Sequence, residues 1–323
     1  MTTGTVVDSA KALASEFGEI LPAFQVLHEC HTLAEANRAV RELSIGHTEA
    51  GTVLQAYEFG QGAAHVLLYG FPDPGEAVGG TTILALLRGL VAGNEFLRSK
   101  DVTWHFIPCL NLDDQPDGGR SLGRVFRDRS IREVEWCVEN PRSETSTLLS
   151  YVNAISPRFV FPLHDEYHCG ESIPVYAIIS EVVAPDVCEQ VRTCLQSFGL
   201  RLRNEHPHKT MGTAFELATD YGEEYLKKST FSRMARYGLV AVCEVSQQEG
   251  VTPASLVAAQ IAVGMAVQMK RSVRADPLYV VATLVKCIPV SVDLVSLSRG
   301  VYRLAYDRNV CYYCRRRLRA YLR

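Results

Sequence analysis

The strongest constraint on the fold is an alternation along the chain: short apolar runs bounded by turn residues, separated by longer stretches whose apolar residues recur about every 3.6 positions. Residues 8 to 44 have the helical period, notably in "AEANRAVRELS", and "GTVLQAYEFG" and "AHVLLYG" then read as successive strands divided by the turn "GQG". Residues 77 to 98 return to helical spacing, and "VTWHFIPC" at 102 to 109 is a buried strand. The helix "SETSTLLSYVNAIS" precedes the strands "RFVFPLH" and "PVYAIIS". "DVCEQVRTCLQSFG" is helical, "GLVAVCEV" is a strand, and Pro253, after the N-cap candidate Thr252, opens a helix to about Lys270. Strands alternating with helices predict an α/β fold: a mostly parallel, mixed and twisted sheet with helices on both faces.

Size and composition fit one such domain. The chain has 323 residues, 47% hydrophobic and 21% charged, with no internal repeat and no low-complexity linker. The division expected is a single α/β domain over 1–285, with a helical lead-in at 1–45, followed by a basic C-terminal extension, 286–323, packed on it. No run reaches the about 18 apolar residues of a membrane span, and "MTTGTVVDSAKALASEF" lacks the basic start and apolar centre of a signal peptide. A cytoplasmic protein that does not engage membranes is expected. The ten cysteines have no framework spacing and several sit in strand-like runs, as expected of free buried thiols in a reducing compartment.

From residue 301 onward there are seven arginines and one acid, Asp307. A short, isolated basic run of this kind reads as an amphipathic helix laying its arginine stems over an acidic body, in preference to a nucleic-acid surface. Cys311 and Cys314 make a lone CxxC with no second pair, which does not define a zinc site.

In parallel sheets, ligands bind beyond the carboxyl ends of the strands. Three strands here end in residues able to bind metal or move protons: "HVLLYGFPDPGE", "RFVFPLHDEYH" and "LVAVCEVSQQ". If these strands are neighbours, Asp73, Glu76, His164 and Glu244 meet at one edge. Two readings of "GFPDPGE" stand at this point, a tight acidic turn or a metal site. Two carboxylates three positions apart can face one way from a turn, and a distant histidine can complete a three-ligand set that leaves a position open for water.

The order of motifs resembles that of the zinc carboxypeptidases (funnelin-type metallocarboxypeptidases). In that family a strand leads into His-x-x-Glu at the start of a helix, which "GFPDPGE" matches with Asp73 in place of the histidine. "VTWHFIPC" is similar to the next family strand, "QPDGG" at 115 to 119 to its Asn/Asp-Pro-Asp-Gly turn, and "RVFRDRS" at 124 to 130 to its arginine-bearing segment. "FVFPLHDE" resembles the strand that delivers the third ligand, and "VCEVSQ" the one that carries the catalytic glutamate. The resemblance spans roughly residues 50 to 270. It implies a carboxypeptidase-like fold, metal ligands Asp73, Glu76 and His164, Glu244 as general base, and Arg127 as the cation that polarises the scissile carbonyl and stabilises the oxyanion. The family's Asn-Arg pair, which clamps a substrate carboxylate, has no clean match. Arg120 and Arg124 are substrate-binding candidates, together with His168 and with Tyr221, which competes with Tyr225 for the place of the family tyrosine. Asp165 or Glu166 is a candidate to orient an imidazole, and His206 and His208 read as an exposed loop pair.

Asp73 is the departure. The family histidine binds through the ring nitrogen attached to Cγ, and an aspartate oxygen is also attached to Cγ, so its reach is similar. Two carboxylates and one imidazole neutralise a divalent ion and favour harder cations, so the expected single Zn2+ per chain gives way in preference towards Mn2+ or Fe2+. The activity implied is metal-dependent hydrolysis of amide bonds in a small peptide or modified amino acid, with metal-activated water and Glu244 as base. The alternative that Asp73 raises is a catalytically inactive carboxypeptidase-like protein that binds a ligand or partner. Homo-oligomerisation is compatible with either.

Overall fold

A mixed seven-stranded sheet orders the chain in the computed structural model, which describes residues 3–73, 75–98, 101–113, 141–165, 176–179, 185–201, 230–234, 237–246 and 248–270. Two helices lead in, α1 (Thr3–Ala14) and α2 (Ala23–Ala36), followed by β1 (Val40–His47), β2 (Val53–Phe59) and β3 (Ala64–Tyr69). After β3 come α3 (Val78–Val91), the single turn α4 (Glu95–Arg98), β4 (Val102–Ile107), α5 (Ser143–Ile155) and β5 (Phe159–Asp165). The remaining elements are β6 (Tyr176–Ile179), α6 (Pro185–Gln196), α7 (Thr230–Met234), β7 (Leu239–Val245) and α8 (Pro253–Lys270). The strands lie in the order β1-β2-β4-β3-β5-β7-β6. The middle four, β4, β3, β5 and β7, are mutually parallel, while β1, β2 and β6 add antiparallel flanks.

This is the expected α/β architecture, with helices on both faces. Strand alternation divides the core accordingly: Val66 and Leu68 of β3 face one way with Trp104, Phe106 and Phe161, while Leu67 and Tyr69 face the other with Ile107 and Val160. Helices α1, α2, α3, α6 and α8 cover the first face, and α5 and α7 cover the second. Helix α3 is buried from Val78 to Leu90 except at Arg88, which pairs with Glu16 and Glu29, and its other positions are apolar or small accordingly. Thr252 caps α8 as expected, its Oγ1 accepting the N–H of Ser255 at 3.2 Å.

Two helical expectations need correction. The stretch 8–44 is not one helical region: α2 stops at Ala36, Asn37 takes an extended backbone, and residues from Val40 join the sheet. No clean two-residue alternation marks this run; its strand state is realised by pairing with β2 from Val40↔Phe59 to His47↔Val53, with a register shift between Ser44 and Gly46. The stretch 77–98 divides at Gly93, whose φ of 83° ends the first helix before α4. Cys30, Cys109, Cys194 and Cys243 are buried free thiols, as expected for the described cysteines. No described helix is long and apolar enough to cross a membrane. The chain divides into a unit spanning Met1–Met269 and a second one from Lys270 to Arg323. The expected boundary at 285/286, the basic extension, Cys311 and Cys314 lie outside the described residues.

Candidate metal centre

The three polar strand ends do become neighbours, because β3, β5 and β7 are consecutive in the sheet. The chain leaves β3 for β4 on one side and then crosses to β5 on the other. A crevice opens at such a reversal, beyond the carboxyl ends of the strands. The loop from Gly70 to Ala77 lies there, braced against the chain beyond β4 by three hydrogen bonds that continue the ladder: Gly70 N to Ile107 O, Leu110 N to Gly70 O and Asn111 N to Phe71 O, each 3.0 Å.

Backbone shape in this loop depends on small residues. A Cβ built at Gly70 would fall 2.6 Å from Gly80 N and 2.9 Å from Pro108 O, so only glycine lets β3 and the first turn of α3 approach so closely. Phe71 is buried with φ of 48°, a left-handed conformation costly for a bulky residue and held here by surrounding packing. Next comes a turn in which Glu76 N donates to Asp73 O at 3.3 Å. Residues i and i+3 of such a turn are close together, which brings both carboxylates to one side.

His164 meets them from β5. Leu163 points into the first core, and by alternation His164 lies on the opposite face at the strand end. His164 Nδ1 is 3.0 Å from Glu76 Oε2 and 3.8 Å from Asp73 Oδ2, and the three donor atoms lie within 4.8 Å of one another. Ligands about 2.1 Å from a tetrahedral ion are about 3.4 Å apart, so the separations suit one small divalent cation. Glu76 and His164 are almost fully buried and Asp73 is 21% exposed, which makes Asp73 the solvent-facing member of the set. Among the described residues, these three form the group able to hold a metal ion. The nitrogen of His164 that faces the carboxylates is Nδ1, the ring nitrogen attached to Cγ.

The other expected residues are placed unequally. Glu244 stands opposite His164 in the β5–β7 register, one strand away. Arg120, Arg124, Arg127, His168, Glu166, Tyr221, Tyr225, His206 and His208 lie outside the described residues. Described residues on both sides of the arginine-bearing stretch are seated on the β1–β2 turn: Asp113 Oδ2 accepts Ala50 N at 2.9 Å, and Glu144 Oε1 accepts Glu49 N at 3.4 Å while pairing with buried Arg142. Asp165 directs Oδ2 at the N–H of Val78, at 2.8 Å, capping the helix that follows Glu76.

Sequence reasoning missed two buried polar residues that adjoin the site. Gln260 of α8 donates from Nε2 to the carbonyl of His164 at 2.7 Å, and its Oε1 accepts the hydroxyl of Thr82 of α3 at 2.8 Å. The available signal was a glutamine alone in the apolar run "LVAAQIAVG", a residue that burial tolerates only with partners.

No family model matches the chain, and no curated protein does. Solved structures share its fold. A metallo-carboxypeptidase from Burkholderia cenocepacia aligns with a TM-score of 0.52 at 19% identity, covering 75% of this chain and 68% of its own. A putative metallopeptidase from Shewanella denitrificans aligns at 0.55 and 16% identity, covering 76% and 88% respectively. A metallo-carboxypeptidase from Pseudomonas aeruginosa, in complex with (2-guanidinoethylmercapto)succinic acid, aligns at 0.52 and 14%, covering 74% and 68%. At these identities the likeness is one of fold, and the chain has a carboxypeptidase-like fold.

Proposed function

We propose that the chain is a metal-dependent hydrolase of amide bonds, carboxypeptidase-like in mechanism and acting on a small peptide or modified amino acid. The observation that carries this reading is the convergence of Asp73, Glu76 and His164 at the β3–β5 crevice, in a fold shared with metallo-carboxypeptidases. Asp73, Glu76 and His164 would hold one ion, Zn2+ in the first instance and Mn2+ or Fe2+ by virtue of two carboxylate donors. Such an ion, when bound, polarises a carbonyl and makes a water molecule more acidic. Glu244 takes the proton of the attacking water and passes it to the leaving amine, a role supported by its register with His164. Arg127 is assigned by sequence resemblance to the developing oxyanion, where a fixed cation contributes most.

Substrate size follows from the missing Asn-Arg pair. Without that clamp, Arg120 and Arg124 are assigned to an anionic substrate group, with His168 and Tyr221 as further substrate-binding candidates, and a small N-acyl amino acid suits this reading better than a peptide chain. Incubating the purified protein with peptides ending in a free carboxylate and with N-acyl amino acids tests this. Release of amino acid from the acylated substrates is expected; efficient trimming of ordinary peptides contradicts the substrate assignment. Asp73 at a histidine position favours the second reading, a catalytically inactive protein that binds a ligand, and metal-replete protein inert toward both panels would support it.

A further inference from the structure

The loop bearing Asp73 and Glu76 is hinged between β3 and α3, whereas His164 belongs to β5, so the ligand geometry depends on how α3 is fixed to β5. Three successive β5 residues make that attachment. A Cβ on Gly79 would fall 2.5 Å from the carbonyl oxygen of Leu163, so the two backbones meet only because the residue is glycine. The carbonyl of His164 accepts Gln260 Nε2 at 2.7 Å, and Gln260 Oε1 accepts Thr82 Oγ1 at 2.8 Å. The carboxylate of Asp165 accepts the N–H of Val78 at 2.8 Å.

The Gln260 bridge is the unusual member. Gln260 and Thr82 have no exposed surface, and Gln260 sits in a helix whose neighbours in sequence are apolar core residues. The ladder between β3 and β5 ends at Tyr69↔Pro162, so His164 lies beyond the reach of β3. A side chain from α8 thus bonds the backbone of His164 itself and passes the constraint to Thr82 in α3, whose leading loop carries Glu76. Both ends of the amide are engaged, and losing either leaves a buried polar group without its partner. A leucine or methionine would fill the same space, so packing alone does not call for a glutamine.

We infer that Gln260 and Thr82 are positioning residues for the metal centre: they hold the backbone of His164 at the separation from Glu76 that one cation requires. The inference rests on the metal reading of Asp73, Glu76 and His164. Removing partners that orient a ligand typically weakens metal binding 10- to 100-fold.

The test is a competition titration of Zn2+ against a chromophoric chelator, performed on full-length apo protein well below its melting temperature. Wild type is compared with Gln260→Met, Thr82→Val and Thr82→Ser, with near-UV circular dichroism and Tm recorded for each apo form. Gln260→Met and Thr82→Val are expected to weaken Zn2+ binding by tenfold or more, and Thr82→Ser, which keeps the hydroxyl, to stay within about twofold of wild type. If Gln260→Met and Thr82→Val lower Tm yet bind Zn2+ as wild type does, their role is structural and the proposal is overturned. Should Gln260→Met fail to fold, the near-isosteric Thr82→Val and Thr82→Ser pair decides alone. A wild type that binds no Zn2+ overturns the metal reading and this inference with it, an outcome distinct from a tight wild type with unaffected variants.

Discussion

At the scale of single residues, the centre depends on atoms that are absent as much as on atoms that are present. Gly79 has no Cβ, which allows the first turn of α3 to rest on the carbonyl of Leu163, one residue before His164. Gly79→Ala should cost roughly 1–3 kcal/mol through overpacking against backbone that cannot yield, read as a lower urea midpoint. His105 allows a different prediction. It is buried, with Nε2 2.8 Å from His65 Nδ1 and Nδ1 2.8 Å from Tyr151 Oη. Burial is the main cause that pushes it from 6.5 down to about 4, partly opposed by the nearby Glu58 carboxylate. The unfolded chain therefore takes up this proton first as pH falls. The stabilisation is complete above about 6.5 and is lost progressively down to about 4, on the order of 3 kcal/mol. Unfolding at pH 7.5 and pH 4.5 should show a smaller pH effect in His105→Gln than in wild type, and an equal effect would contradict the assignment.

At the scale of elements, what was legible in the sequence and what was not have physical causes. The strands at 53–59, 64–69, 102–107 and 239–245 were readable because their apolar runs are short, β-branched or aromatic, and bounded by turn residues. The strand at 40–47 was not, because no clean two-residue alternation marks it and Val40 and Leu43 stand three positions apart as on a helix, so only pairing with β2 decides. Asp73, Glu76 and His164 were legible as a set because they stand in the loop after one strand and at the end of another, while Gln260 and Thr82 were hidden inside helices whose apolar pattern looks purely structural. Capping chemistry was visible locally. Thr252→Ala should remove the bond to Ser255 and cost about 1 kcal/mol, with a Tm lower by a few degrees and no change in metal content.

At the scale of the whole molecule, the topology decides where chemistry can occur. The reversal of strand order at β3 opens the crevice, parallel pairing puts the ends of β3, β5 and β7 on the same edge, and buried Glu76 and His164 stand there beside the partly exposed Asp73. Because the site is shared by α3's leading loop and β5, a bound cation should tie the two together. Chelation is then expected to lower Tm, with a recovery on adding cation that grows with its concentration, about 2.7 kcal/mol at a hundred times the dissociation constant. The central claim is that Asp73, Glu76 and His164 hold one metal ion, and elemental analysis of protein purified without added metal tests it most directly, with Asp73→Ala and Asp73→His alongside. One equivalent in wild type, its loss in Asp73→Ala and its retention in Asp73→His are predicted; a full equivalent retained in Asp73→Ala, or none in wild type, would contradict the account.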